Sequence, residues 1–119
     1  MKDVKLTRTQ AKTVMNQMET AAAGYKGKDL RRLGRIYIIL EPYEEKYMEK
    51  AKDVDPDDQE AVKEFLDGYG SEEIDVQFES TDYDLIVKTF KAMDSIRGNR
   101  GVVRELVHIR EAFKIEDED

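Results

Sequence analysis

Two short segments in which apolar and polar residues alternate constrain the fold of this chain more than any other feature. They cover residues 3–7 and residues 73–79, and the chain around them has mostly helical spacing. Because a lone strand leaves its backbone N–H and C=O groups without partners, we predict that the two segments pair with each other. Lys5 would then face Asp75 or Glu79 across the ladder. An unpaired segment would instead offer a strand edge to another chain.

Elsewhere apolar residues recur at steps of three and four, which predicts four to five helices. The first helix should begin near residue 8, because Thr7 and Gln10 have the spacing of a capping box. A second helix should run from about Lys28 to Lys52, continuous but kinked by Pro42 near Leu40. Its predicted buried side comprises Leu30, Leu33, Ile36, Tyr37, Leu40, Tyr43, Tyr47 and Ala51.

Three further helices are predicted in the second half of the chain. Asp55 is the predicted N-cap of a short helix with Pro56 in its first position. Another helix follows the N-cap cluster at Ser80–Asp82 and extends to Met93, before a break at Arg97–Asn99. The last helix should bury Val102, Val103, Leu106, Val107, Ile109 and Phe113.

The fold class expected from these elements is mainly α, of the α+β type, with one small two-stranded sheet. We expect a single domain over residues 1–115 and a frayed acidic tail at 116–119. Most of the core should come from the second and last helices, through Leu33, Ile36, Tyr37, Leu40, Val103, Leu106 and Val107.

The composition excludes several kinds of chemistry. The 119 residues include no Cys, so disulfides, thiol redox reactions and cysteine-ligated metals are ruled out. A mean hydropathy of -0.73 and the absence of a long apolar run predict a soluble chain without a membrane span or signal peptide, hence a cytoplasmic protein. The formal net charge of -7 disfavours general nucleic-acid binding.

One segment partly matches a calcium-binding loop. Asp53, Asp55, Asp57 and Glu64 occupy positions 1, 3, 5 and 12 of an EF-hand, but the turn position that needs glycine holds Asp58. We therefore favour an acid-rich helix N-terminus over a metal site, and leave calcium binding as the open alternative.

No catalytic constellation stands out in the sequence. The single histidine, His108, is predicted to face solvent, and no serine lies in a nucleophile elbow. We expect Arg110, which shares a stripe with apolar residues, to extend past the core edge or to pair with a buried carboxylate. No enzyme activity and no cofactor are predicted.

Two charged surfaces are candidates for binding. The basic strip, Lys28, Arg31, Arg32 and Arg35, lies at the start of the second helix and could contact phosphates, although ion pairs within the protein are the preferred interpretation. The acidic segment runs from Asp53 to Asp84, holds thirteen acidic residues, and begins with Asp53, Asp55, Asp57, Asp58 and Glu60. Such a density of carboxylates could imitate a phosphate backbone, although a solvated surface that keeps the protein soluble is the preferred interpretation.

The order of elements resembles a known group of proteins. The features that carry the likeness are an initial strand at Lys5–Thr7, a Gly-Lys turn at Gly24–Lys28, an arginine-rich helix start, and a strand followed by Tyr83-Asp84. Together they resemble small uncharacterised accessory proteins of tailed phages and prophages of Gram-positive bacteria. The resemblance implies a role in the cytoplasm of the bacterial host, and it carries no functional residue with it.

The leading functional hypothesis is therefore a non-enzymatic protein-binding module, an accessory or assembly protein whose partner is a host or virion protein. Its long helices could also pair in a homo-oligomer. The alternative is an acidic inhibitor of a host nucleic-acid-binding enzyme. Direct binding of nucleic acid through Lys28, Arg31 and Arg35 ranks third.

Overall fold

The computed structural model describes residues 1–92 and 100–115 of the chain. Within these residues it contains five α-helices and one two-stranded sheet, so the predicted mainly α fold with a small β element is confirmed. The elements in chain order are β1 (Lys2–Thr7), α1 (Arg8–Ala21), α2 (Lys28–Ala51), α3 (Gln59–Asp67), β2 (Glu73–Phe78), α4 (Ser80–Lys91) and α5 (Arg100–Ala112).

The two strands pair with each other in antiparallel register, as predicted. Lys5 lies opposite Asp75, and its Nζ lies 3.8 Å from the carboxylate of Glu73, one pleat along the same face. The side chains of Val4 and Leu6 on β1 point into the core with those of Val76 and Phe78 on β2. The sheet therefore joins the start of the chain to a segment nearly seventy residues later.

Local capping interactions decide where α1 begins. The Thr7 hydroxyl accepts a hydrogen bond from the backbone N–H of Gln10, and the Gln10 side chain accepts one from the N–H of Thr7, which confirms the predicted capping box. The long helix α2 begins at Lys28, and it continues through Pro42 to Ala51. The kink at Pro42 stays a prediction.

The core lies between the sheet and four of the helices. Its most deeply buried members come from every layer: Leu6, Phe78, Val14, Met18, Ile36, Leu40, Ile86, Phe90, Leu106, Ile109 and Phe113. Of the predicted core, Leu33, Ile36, Leu40 and Leu106 are buried and Tyr37 is partly buried. The side chain of Val103 lies outside the described residues.

Two residues that were predicted to be buried are exposed. Leu30 is 50% exposed and Val107 is 44% exposed. On an α-helix Leu30 lies about 120° around from Ile36, and Val107 lies about 100° around from Leu106. Each falls on the flank of its helix, beyond the stripe that meets the core.

Two predicted helix starts were wrong. Asp58, not Asp55, caps α3: its carboxylate accepts from the N–H of Ala61, whereas Asp55 accepts from the N–H of Asp57 in the preceding turn. Because a turn closes between Asp55 and Asp58, the chain enters α3 three residues later than expected. The second concerns α4, whose N-cap is Glu79 and not a residue of the predicted cluster at Ser80–Asp82. The Glu79 side chain makes no capping hydrogen bond.

Several sequence expectations lie outside the described residues. They concern Met93, the break at Arg97–Asn99, the side chain of Val102 and the tail at 116–119. Among the helices that the structure describes, none has the length and apolarity needed to cross a membrane.

Candidate interaction surface

A row of apolar and small residues runs along the outer face of α2. It comprises Leu30, Gly34, Ile38 and Pro42, spaced four residues apart, and we call it the α2 ridge. Residues at this spacing form one continuous ridge on a helix surface. Ile38 is 72% exposed, and a Cβ atom built on Gly34 would meet no atom within 4 Å. The ridge thus presents an apolar projection next to a gap.

Charged residues of opposite sign flank the two ends of the α2 ridge. Exposed Lys28 and Arg31 lie at its start, and exposed Glu41 and Glu45 lie near its end. Within residues 1–92 and 100–115, none of these four side chains makes an ion pair. Burial raises the pKa of the neighbouring Glu44, and the charge of Glu19 raises it further. The outer face of α2 is therefore basic at one end and acidic at the other.

The basic strip predicted from the sequence is divided by the fold. Arg35 binds the carboxylate of Asp82 on α4, with Nη2–Oδ1 at 2.7 Å and Nε–Oδ2 at 3.0 Å, whereas Lys28 and Arg31 make no ion pair within the described residues. The hydrogen bonds with Asp82 raise the pKa of Arg35 above its ordinary value. Arg35 thus makes an ion pair within the protein, as predicted.

The burial of Asp82 was not predicted from the sequence, yet its side chain is fully buried. The sequence predicted a role for Asp82 only as a member of the N-cap cluster at Ser80–Asp82, yet its carboxylate is satisfied by Arg35 from α2. A bidentate arginine pair is the geometry that best compensates a buried carboxylate. The pair fixes α2 against α4 and thereby holds the outer face of α2 in place.

Arg32 also pairs within the chain. Its Nη1 lies 3.1 Å from Oδ1 of Asp29, one turn earlier on α2, and Asp29 also lies 3.9 Å from Nζ of Lys88. Of the four predicted cations, Lys28 and Arg31 therefore remain for an outside partner within the described part of the chain. Two cations on one helix turn are a smaller phosphate-binding surface than the sequence suggested.

The acidic segment lies on the surface almost throughout. Asp53, Asp55, Asp57, Asp58 and Glu60 are all exposed, and in the described span 53–84 only Asp82 among the acidic residues is buried. Three of the exposed carboxylates make ion pairs, namely Glu72 with Arg8, Glu73 with Lys5, and Glu79 with Arg35. The remaining carboxylates face solvent.

The described residues do not gather into a metal site. Across residues 1–92 and 100–115, no group of three or more histidine and carboxylate side chains lies close enough together to hold an ion. Asp55 and Asp58 direct their carboxylates to backbone N–H groups of the turn and of α3. The geometry therefore gives no support to the EF-hand alternative at Asp53, Asp55, Asp57 and Glu64.

His108 is exposed on α5, as predicted. Arg110 donates a hydrogen bond from Nη1 to the backbone carbonyl of Phe90, at 2.8 Å, so it connects α5 to the end of α4.

An open groove of about 520 Å³ lies between α2 and the sheet, lined by Ile39, Tyr43 and exposed polar residues of the strands. These polar residues include Asp3 and Asp75, and the groove is not enclosed.

Sequence reasoning missed the α2 ridge because it assigned Leu30 to the buried stripe. The signal was present in the four-residue spacing of Leu30, Gly34, Ile38 and Pro42, which drifts out of phase with Leu33, Ile36 and Leu40. The Arg35–Asp82 pair had no such signal, because its partners are 47 residues apart and meet only through the packing of α4 on α2.

Comparison of the chain with protein-family models, with curated proteins and with solved structures finds no match.

Proposed function

We propose that this protein is a non-enzymatic protein-binding module that receives a helix of its partner on the outer face of α2. The observation that carries the proposal is the α2 ridge, where Leu30 and Ile38 are 50% and 72% exposed on the longest helix of the described fold. Exposed apolar side chains that follow one ridge of a helix are typical of protein interaction sites. The charged residues at both ends of the ridge would orient the partner.

The ridge also lies on a rigid support. The opposite side of α2 is held in the core by Leu33, Ile36 and Leu40, and the flank is held by the bidentate pair of Arg35 and Asp82. A surface that is already ordered loses little conformational entropy when a partner binds. The module would therefore bind without first folding or rearranging.

For the biological setting we propose an accessory or assembly protein of a tailed phage or prophage, acting in the cytoplasm of the bacterial host on a host or virion protein. This setting rests on the resemblance in the order of elements. It fits a small acidic chain whose candidate surface is a binding face.

The test is capture of partners from a bacterial lysate by the tagged protein and by two variants. Ile38→Asp places a charge at the centre of the α2 ridge, and Val107→Asp makes the same change at an exposed apolar residue on α5. We expect the wild type and Val107→Asp to capture the same protein in similar amounts. Ile38→Asp should capture at least tenfold less of it, since a buried unpaired charge costs several kcal/mol. Equal capture by Ile38→Asp would contradict the proposal.

A second candidate is an acidic inhibitor of a host nucleic-acid-binding enzyme. The observation that favours it is the number of exposed carboxylates between Asp53 and Asp67 that make no ion pair in this described span. Replacing Asp53, Asp55 and Asp57 with Asn should then abolish inhibition of nucleic-acid binding in a host extract. Ile38→Asp should leave that inhibition intact.

A further inference from the structure

We infer that, before a host or virion protein binds, the α2 ridge is covered by a second copy of this chain with its α2 antiparallel to the first. The inference rests on the proposed function and names what occupies the same face in a dimer of the protein itself. Two features of the ridge carry it, namely the fit of its shape to itself and the arrangement of its charges.

The shape of the α2 ridge is complementary to its own copy. Ile38 projects into solvent, and Gly34, one turn earlier on the same ridge, leaves the space beside it empty. A two-fold axis midway between them places Ile38 of each copy over Gly34 of the other and sets Leu30 beside Pro42. A glycine at the crossing allows close approach of the two backbones.

The charges favour the same antiparallel arrangement. The axis that pairs Ile38 with Gly34 brings Arg31 of each copy level with Glu41 of the other, with Glu45 one turn away. These three side chains are exposed and make no ion pair within the described residues. A parallel arrangement would instead set Arg31 against Arg31 and Glu41 against Glu41, which is repulsive. The two-fold axis repeats each favourable pair twice.

The contact is small, so we expect a weak dimer. One ridge crossing a second ridge buries less area than a standard stable interface needs, and interfaces of that size are transient. Self-association should therefore appear only as the protein is concentrated, over a range of about 1 μM to 1 mM. Sedimentation equilibrium across this range measures the effect directly.

Two kinds of variant distinguish this arrangement from nonspecific self-association. Gly34→Gln fills the gap with a good helix former, so the monomer should keep or gain stability while the dissociation constant rises at least tenfold. Arg31→Glu alone and Glu41→Lys alone should each weaken association. An equimolar mixture of these two variants should associate more tightly than either variant by itself, because each mixed pair regains attraction at both ends.

The outcomes separate this inference from the proposed function. A wild-type protein that stays monomeric across the whole concentration range overturns the second-copy inference, as does a mixture of charge variants that associates no better than its components. In either case Ile38→Asp can still abolish capture of a different protein, which would preserve the proposed function. If Ile38→Asp changes neither self-association nor capture, both are wrong.

Discussion

At the scale of single residues, the contact between Arg35 and Asp82 joins a partly exposed arginine to a carboxylate in the interior. Asp82 is fully buried, whereas the Arg35 side chain is 42% exposed to solvent. Removing the arginine strands a carboxylate in the interior, but removing the carboxylate leaves an arginine that water can still solvate. The two partners therefore should not respond equally to substitution.

We predict that Arg35→Met destabilises the protein much more than Asp82→Asn does. Loss of Arg35 leaves Asp82 without compensation and should lower the Tm by roughly 10 °C. Asp82→Asn keeps the shape of the side chain and a hydrogen-bonding group, and it should lower the Tm by less than half as much. Thermal unfolding followed by circular dichroism measures both, and an equal or reversed order would contradict the ion-pair assignment.

Glu105 on α5 is a second residue whose burial affects the free energy of unfolding. Burial raises the pKa of its carboxyl above the ordinary value of 4.5, and the charge of His108 opposes the rise. Its Oε2 is buried and makes no hydrogen bond to any described residue. The folded state therefore binds the Glu105 proton more tightly than the unfolded state does, so the ionised carboxylate lowers stability at any pH above the raised pKa.

Glu105→Gln should raise the free energy of unfolding at about pH 7 by roughly 0.5 kcal/mol or less, because it removes the charge of a partly buried carboxylate whose Oε2 has no partner, while water still screens the exposed part. The gain should shrink as the pH falls through the raised pKa and should vanish below the ordinary value of 4.5, where both states are protonated. Urea unfolding at about pH 7 and about pH 4 measures it. Glu111→Gln, at an exposed position on the same helix, is the matched control. A gain for Glu105→Gln that is equal at both pH values would refute the burial argument.

At the scale of elements, the structure shows which helices sequence patterns can place and which they cannot. The start of α1 was predictable because the capping box marks it, and the pairing of β1 with β2 was predictable because two short strands in one chain can satisfy each other's backbone groups. The start of α3 was not, since several consecutive acidic residues could each act as the cap. Only the turn that closes between Asp55 and Asp58 selects among them.

The helix α3 is the least anchored element of the described fold, because none of its residues is fully buried. Phe65 attaches it to the rest of the protein through the ring of Tyr47, with centroids 5.2 Å apart, and the ring of Tyr69, at 5.7 Å. The guanidinium of Arg8 lies over the ring of Tyr69, 4.6 Å from its centroid. This aromatic cluster links α3 to α2 and to the start of α1.

Phe65→Ala should therefore release α3 without unfolding the core. Amide hydrogen exchange in α3 should become about tenfold faster, the effect of losing roughly 1.4 kcal/mol of local stability, while exchange in α4 stays unchanged. Leu66→Ala, at an exposed neighbour on the same helix, should change exchange little. Unchanged exchange in the Phe65→Ala variant would show that α3 is held by something else.

At the scale of the whole molecule, the inner faces of the elements were easier to predict than the outer ones. Burial of Leu33, Ile36 and Leu40 follows from their helical spacing, because apolar residues in that register have one core to enter. The exposure of Leu30 and Val107 did not follow, since a stripe of apolar residues does not reveal how wide the neighbouring elements are. The α2 ridge is exposed because the neighbouring elements do not cover the outer face of α2, and this coverage is a property of the packed molecule.

The central claim for the whole molecule is that the outer face of α2 is covered by a protein in the cell. A photo-reactive amino acid placed at position 38, and in a control protein at position 107, reports contact directly when cells expressing each variant are irradiated. The account predicts covalent protein adducts from position 38, of the chain with itself or with another protein, and at most a trace from position 107. Absence of adducts at position 38, or equal yields at the two positions, would contradict it.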